Sequence, residues 1–169
     1  MLQNVRNFFR AVPTPLAGLA LGIASLGIGL EKSLPLHNFA QVLGALTSMT
    51  LILLLAGKFA LNPRLLLEEL RHPVLGSILP TTSMALMLQS KSLSILDARA
   101  AQGLWLFAVA LHLCLLLAFV AFRARQFSLH HMLPSWFVPF VGISVAAMTV
   151  PGPAYYQLAY GLMVFGMVN

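Results

Sequence analysis

Residues 68–87 read EELRHPVLGSILPTTSMALM and pass abruptly from charge to oil. Glu68, Glu69, Arg71 and His72 lead into a stretch that carries no further charge until Lys91. At its middle stand Pro80, Thr81, Thr82 and Ser83. A proline removes a backbone N–H and collides with the carbonyl four residues earlier, so it kinks or breaks a helix. For Pro80 that carbonyl belongs to Gly76, and for Pro139, further along, to Ser135. In an apolar medium such carbonyls are tolerated only where protein or water satisfies them. Hydroxyls beside the break serve that need, and they mark a helix that faces an interior rather than lipid.

The rest of the chain supports an apolar medium. Of 169 residues, 59% are hydrophobic and 8% charged, and the mean hydropathy is +0.88. A soluble domain carries about 25% charged residues, so we read an all-α integral membrane protein, a single transmembrane domain over residues 1–169. The net charge of +6 does not indicate nucleic acid, because the basic residues stand singly between apolar runs and form no patch with interleaved aromatics. The single cysteine, Cys114, forms no internal disulfide and has no metal-ligand spacing around it. The basic start, MLQNVRNFFRAVPTPLAG, precedes an apolar run with no clean cleavage site, so the first span is expected to be retained.

With charges as punctuation, six apolar segments emerge, near 13–30, 37–57, 73–88, 98–122, 134–150 and 154 onward. A span needs about 20 residues, so the third and sixth are short and five to six spans are expected. Arg6, Arg10, Lys58, Arg64, Arg71, Arg123 and Arg125 fall on one side; Lys32, Lys91 and Arg99 fall on the other. This bias places the N-terminus in the cytoplasm of a multi-pass cell-membrane protein, with cytoplasmic loops at 58–72 and 123–133. If the source is bacterial, that membrane is the inner one. Within the first loop Asn62 and Pro63 suit the start of a short interfacial helix, and Glu68 lies four residues before His72, a spacing that favours a pair. Trp105 and Trp136 fall near span ends, where tryptophan anchors to the interface. His130 and His131 are expected to be solvated.

Odd and even spans differ in kind. The even ones are Leu-rich and free of proline in their apolar runs, as in LWLFAVALHLCLLLAFVAF. The odd ones share a form: Pro15-Leu-Ala-Gly18-Leu-Ala20, Pro80-Thr-Thr-Ser83-Met-Ala85 and Pro139-Phe-Val-Gly142-Ile-Ser144. The prolines are 65 and 59 positions apart, which indicates a repeated helical hairpin with odd helices inside and even helices outside. Internal repeats are frequent in transporters. The bland alternative is that small residues such as Gly18 and Gly22 merely let helices pack closely. The expected lining of an interior pathway is Pro15, Gly18, Gly22, Ser25, Pro80, Thr81, Thr82, Ser83, Pro139, Gly142 and Ser144, with Arg71 and His72 at a cytoplasmic mouth. No catalytic residues, cofactor or metal are expected. His112, inside the fourth span, reads as a helix-packing hydrogen bonder.

Three stretches, PLAGLALGIASLGIG, ELRHPVLGSILPTTSMAL and LPSWFVPFVGISVAAMTVPG, resemble the tellurite-resistance/dicarboxylate transporter family. That family includes TehA-like permeases, plant slow anion channels, and fungal malate and sulfite permeases. Arg71-His72-Pro73 followed by Pro80-Thr81-Thr82 is the most specific match. The resemblance implies a ten-helix ring of five hairpins, odd helices inside, one pore per subunit and a homotrimer. It implies passage of small anions: inorganic anions, tellurite, sulfite or C4-dicarboxylates. The chain has about the first half of that family's length, and a fragment or truncated reading frame is the favoured explanation. The phenylalanine that gates family members belongs to the other half, so no gate is assigned. Other readings are a non-conducting accessory subunit and, less favoured, a membrane redox protein.

Overall fold

The computed structural model describes residues 2–125 and 133–168. His130, His131 and most of the expected loop 123–133 lie outside the described residues. Everything regular among the described residues is helical: α1 (Leu2–Arg10), α2 (Leu16–Ser33), α3 (Phe39–Leu61), α4 (Pro63–Arg71), α5 (Leu75–Ile78), α6 (Pro80–Leu93), α7 (Ala98–Arg125), α8 (Phe137–Gly142), α9 (Val145–Met148) and α10 (Tyr156–Val168). Short 3-10 turns precede α8 and α10. Three helices, α2, α3 and α7, are long and apolar enough to cross a membrane. The third and fifth expected spans are each divided, into α5 with α6 and α8 with α9, and α10 is 13 residues long.

The elements associate as three hairpins side by side. α2 packs on α3, α6 on α7, and α8 with α9 on α10. α6 holds the middle, touching α2, α3, α7, α8 and α9. Burial follows from this position: Thr81, Ser83, Met84, Ala85, Met87, Leu88, Gln89 and Ser90 are all buried. The Leu-rich helices instead present Leu43, Leu46 and Leu53 of α3, and Phe107 and Leu117 of α7, to the outside. In a bilayer those side chains meet lipid at no desolvation cost.

Glycine sets the closest approach of α2 and α3. A Cβ on Gly27 would lie 2.7 Å from the Ala40 carbonyl oxygen, and one on Gly44 3.0 Å from that of Ile23. Small residues therefore do pack helices here, but not at Gly18 and Gly22, where a Cβ would meet nothing within 4 Å.

Several sequence expectations are corrected. Pro15 does not bend a helix from within; it stands just before α2 as its N-cap residue. Pro80 does mark the expected break: it opens α6 one residue after α5 ends, with Leu79 between them in the right-handed helical region, and its missing N–H costs nothing there. Pro139 lies inside α8, and after it the helix tightens to three-residue hydrogen bonds at Ile143 and Ser144, which keep right-handed helical angles. Trp105 is no interfacial anchor. It is fully buried, and its indole N–H donates to the Ala146 carbonyl and the Thr149 hydroxyl at 3.2 Å each. The helix expected in loop 58–72 is α4, but Asn62 does not cap it; its amide donates back to the Lys58 carbonyl at 3.3 Å. Nor does Glu68 pair with His72, because α4 ends at Arg71 and His72 turns extended.

Candidate functional site

The segment Pro73–Leu93 supplies the centre of the site. α5 stops at Ile78, and the Thr81 hydroxyl alone spans the break, reaching the Ile78 carbonyl rather than that of Gly76. Thr81 Oγ1 donates to the Ile78 carbonyl at 2.7 Å and Ser83 Oγ to the Pro80 carbonyl at 2.6 Å. Ser77 Oγ lies 2.9 Å from Ser135 Oγ, joining this break to the start of the fifth segment. Thr82 is half-buried, and its hydroxyl has no partner among the described residues.

His112 of α7 ties two of the repeated motifs together. Its Nε2 is 2.8 Å from the Pro139 carbonyl and its Nδ1 2.9 Å from Ser83 Oγ. A carbonyl can only accept, so Nε2 carries the hydrogen and Nδ1 accepts from Ser83 in the neutral ring. Ser83's single hydrogen is then shared between Nδ1 and the Pro80 carbonyl. Gly142 completes the contact: a Cβ there would lie 2.6 Å from Met84 Sδ and 3.1 Å from His112 Cε1. Ser83 and Gly142 occupy the same place in the repeat, four residues into each motif. Their small size admits the imidazole between α6, α7 and α8.

The first motif is placed differently. Pro15, Gly18, Gly22 and Ser25 are exposed and recur at spacings that put them on one face of α2. Ser25 Oγ returns to its own helix, donating to the carbonyls of Leu21 and Gly22. Ser144 is half-buried, and its hydroxyl donates to Val141 O at 2.7 Å. The structure thus gathers Pro80, Ser83, Pro139 and Gly142 around His112, buries Thr81 beside them, and leaves the α2 stripe open.

The two ends of this assembly are basic. At the α4 end Arg71 and His72 are exposed. The Arg71 guanidinium sits 5.7 Å from the Phe122 ring centroid, and its carbonyl accepts from Arg123. His72 Nδ1 accepts from the backbone N–H groups of Val74 and Leu75 at 3.3 Å each, starting the next segment. Lys91, beyond the apolar run at the far end of α6, donates to the Met148 carbonyl at 3.2 Å. Partial burial and the neighbouring Lys32 ammonium lower its pKa. Among the described residues no three of His, Cys, Asp or Glu converge as metal ligands.

Sequence reasoning missed one polar cluster. Lys58, placed in a loop by its charge, is 4% exposed in the last turn of α3. Its ammonium lies 2.6 Å from Glu69 Oε1 and 2.9 Å from Thr14 Oγ1, and Thr14 donates to Glu69 Oε2 at 2.6 Å. These residues are 11 and 44 positions from Lys58, so no local spacing announces them.

The model of the SLAC1 family, voltage-dependent anion channels, matches residues 12–168, from just before α2 to the end of α10. The chain belongs to this family. That membership and the long apolar helices mark it as a membrane protein, in line with the resemblance carried by the 71–82 segment. A curated relative, an uncharacterized transporter of Methanocaldococcus jannaschii (MJ0762), is 31% identical over 87 residues. The matched stretch spans 49% of this chain and 25% of that relative. No solved structure matches the chain.

Proposed function

We propose that this protein contributes a pathway for small anions across the cell membrane, along the uncharged inner faces of its odd spans. The observation that carries this reading is the stripe Pro15, Gly18, Gly22 and Ser25. It is small, uncharged and exposed, and it runs beside the exposed Leu19 and Leu26 on a helix whose opposite face is packed, in a member of an anion-channel family. Six spans, α5 with α6 and α8 with α9 each counted as one, give three hairpins of the family's ring. Further hairpins would close it over the α2 stripe, and pores would group as a trimer. The N-terminus would face the cytoplasm.

The chemistry suits weak, passing occupancy. None of the candidate lining residues is a carboxylate, so an anion meets no repulsion in a low-dielectric passage. None is Lys or Arg, so no fixed cation traps it; conduction needs binding weak enough to leave. Arg71 at one mouth, and Lys32 with Lys91 at the other, would raise the local anion concentration. Inorganic anions, tellurite, sulfite and C4-dicarboxylates all fit so undemanding a lining.

The test is halide and sulfite flux into liposomes carrying the full-length protein. Changing Thr81 and Thr82 together to Val is expected to lower flux several-fold and alter relative permeability. Flux identical to wild type with unchanged selectivity would remove both hydroxyls from the pathway.

A further inference from the structure

At the end of the molecule where α1 and α4 meet α3, a cleft of about 580 Å³ opens between the two short helices. Arg6 and Arg10, four residues apart on one side of α1, face it together with Arg64 of α4, Asn62, Leu65 and Glu68. We propose that this cleft holds the phosphate-bearing head group of an anionic phospholipid from the leaflet in which α1 lies.

Three features support this assignment. The first is charge. Three guanidinium groups against one carboxylate leave the lining with a net charge of +2, and none of the four forms an ion pair among the described residues. Guanidinium forks match phosphate oxygens two at a time, so three of them suit a phosphodiester better than a halide. The second is rigidity. α1 is seated by Phe9, whose ring lies where a Cβ on Gly57 would come within 2.4 Å of it; Phe9 also packs against the buried cluster of Val12, Ala17 and Leu55. α4 is seated separately, by Glu69 held between Lys58 and Thr14. Both walls are thus fixed to α3 before any ligand arrives. The third is the membrane level of the cleft. Val5 and Phe8 on α1 are 42% and 63% exposed and lie on a different face from Arg6 and Arg10. A short helix with an apolar face beside a basic one lies in the interface plane, which brings the arginines to head-group depth. A 580 Å³ space is larger than a single oxyanion needs and leaves room for a glycerol moiety. The site is apart from the helices assigned to the pathway and does not depend on which ion they carry.

The full-length protein, reconstituted with equimolar phosphatidylglycerol and phosphatidylcholine and released gently, is examined by native mass spectrometry for retained lipid. Wild type is expected to retain phosphatidylglycerol about tenfold over phosphatidylcholine, given the pull of each basic residue on anionic lipid. Arg6→Gln/Arg10→Gln/Arg64→Gln is expected to lose most of that preference. Glu68→Gln, which removes the one opposing charge and should not disturb folding, is expected to raise it. Equal retention of the two lipids by wild type, or an unchanged preference in both variants, would overturn the proposal. Inorganic phosphate at millimolar concentration serves as the other arm. If it stabilises the lipid-free protein as much as phosphatidylglycerol does, and Glu68→Gln strengthens that effect, the cleft is a free-phosphate site and the lipid assignment fails.

Discussion

His112 is the residue on which the middle of the protein turns. It reaches from an outer helix to a hydroxyl on α6 and a carbonyl on α8, and it is fully buried while doing so. Replacing it by Leu keeps most of the volume but strands the Pro139 carbonyl. Interhelical hydrogen bonds in membranes are worth about 0.6–2 kcal/mol, so His112→Leu is expected to lower the unfolding free energy by about 1–2 kcal/mol. Cys114→Ser, at an exposed position two residues further along α7, should stay within about 0.5 kcal/mol of wild type. Thermal unfolding in detergent checks both; equal melting temperatures for His112→Leu and wild type would show that the link contributes nothing. His112 was legible as a packing donor, since an imidazole in an apolar run needs a partner. It could not name the partners, because Ser83 and Pro139 lie 29 and 27 positions away. The cluster of Lys58, Glu69 and Thr14 was illegible for the same reason, and there the charge of Lys58 pointed outward while the fold turned it inward.

Among the elements, the proline-containing spans were recognisable and their geometry was not. Pro15 and Pro80 begin helices, and Pro139 lies just ahead of a tightened turn; a proline in a sequence signals discontinuity without saying on which side it falls. The hydroxyls after Pro80 were read as partners for the Gly76 carbonyl, but the reach of Thr81 is local and it takes the Ile78 carbonyl instead. Glycine was harder. Gly18 and Gly22 look like a packing stripe, yet the close approach of α2 and α3 is made at Gly27 and Gly44. The two roles separate on substitution. Gly18→Ala adds a methyl group into open space and should gain up to about 1 kcal/mol from helix propensity. Gly27→Ala must move the Ala40 carbonyl and should cost about 1–3 kcal/mol, as overpacking does. Opposite shifts in thermal stability are expected. A fall of similar size for both would mean that Gly18 is also packed against something.

For the molecule as a whole, the arrangement of hairpins explains why polar and apolar surfaces exchange places relative to a soluble protein. α6 is buried with its serines, threonines and glutamine, while the leucines of α3 and α7 are exposed. The exposed surface is then of two kinds: an apolar one, with Leu46 and Leu53 at 64% and 62% exposure, and the small-residue stripe of α2. Area alone does not distinguish them; the medium each one meets does. A thiol reacts with a charged reagent only as the thiolate, which forms in water and not in lipid. The most direct test therefore places single cysteines at Gly22, Ser25, Leu46 and Leu53 in a Cys114→Ser background. Modification by a membrane-impermeant thiol reagent is then followed in intact membranes. The account predicts that positions 22 and 25 react at least about tenfold faster than 46 and 53, since only the former border water. Fast reaction at 46 and 53 with positions 22 and 25 silent would contradict it.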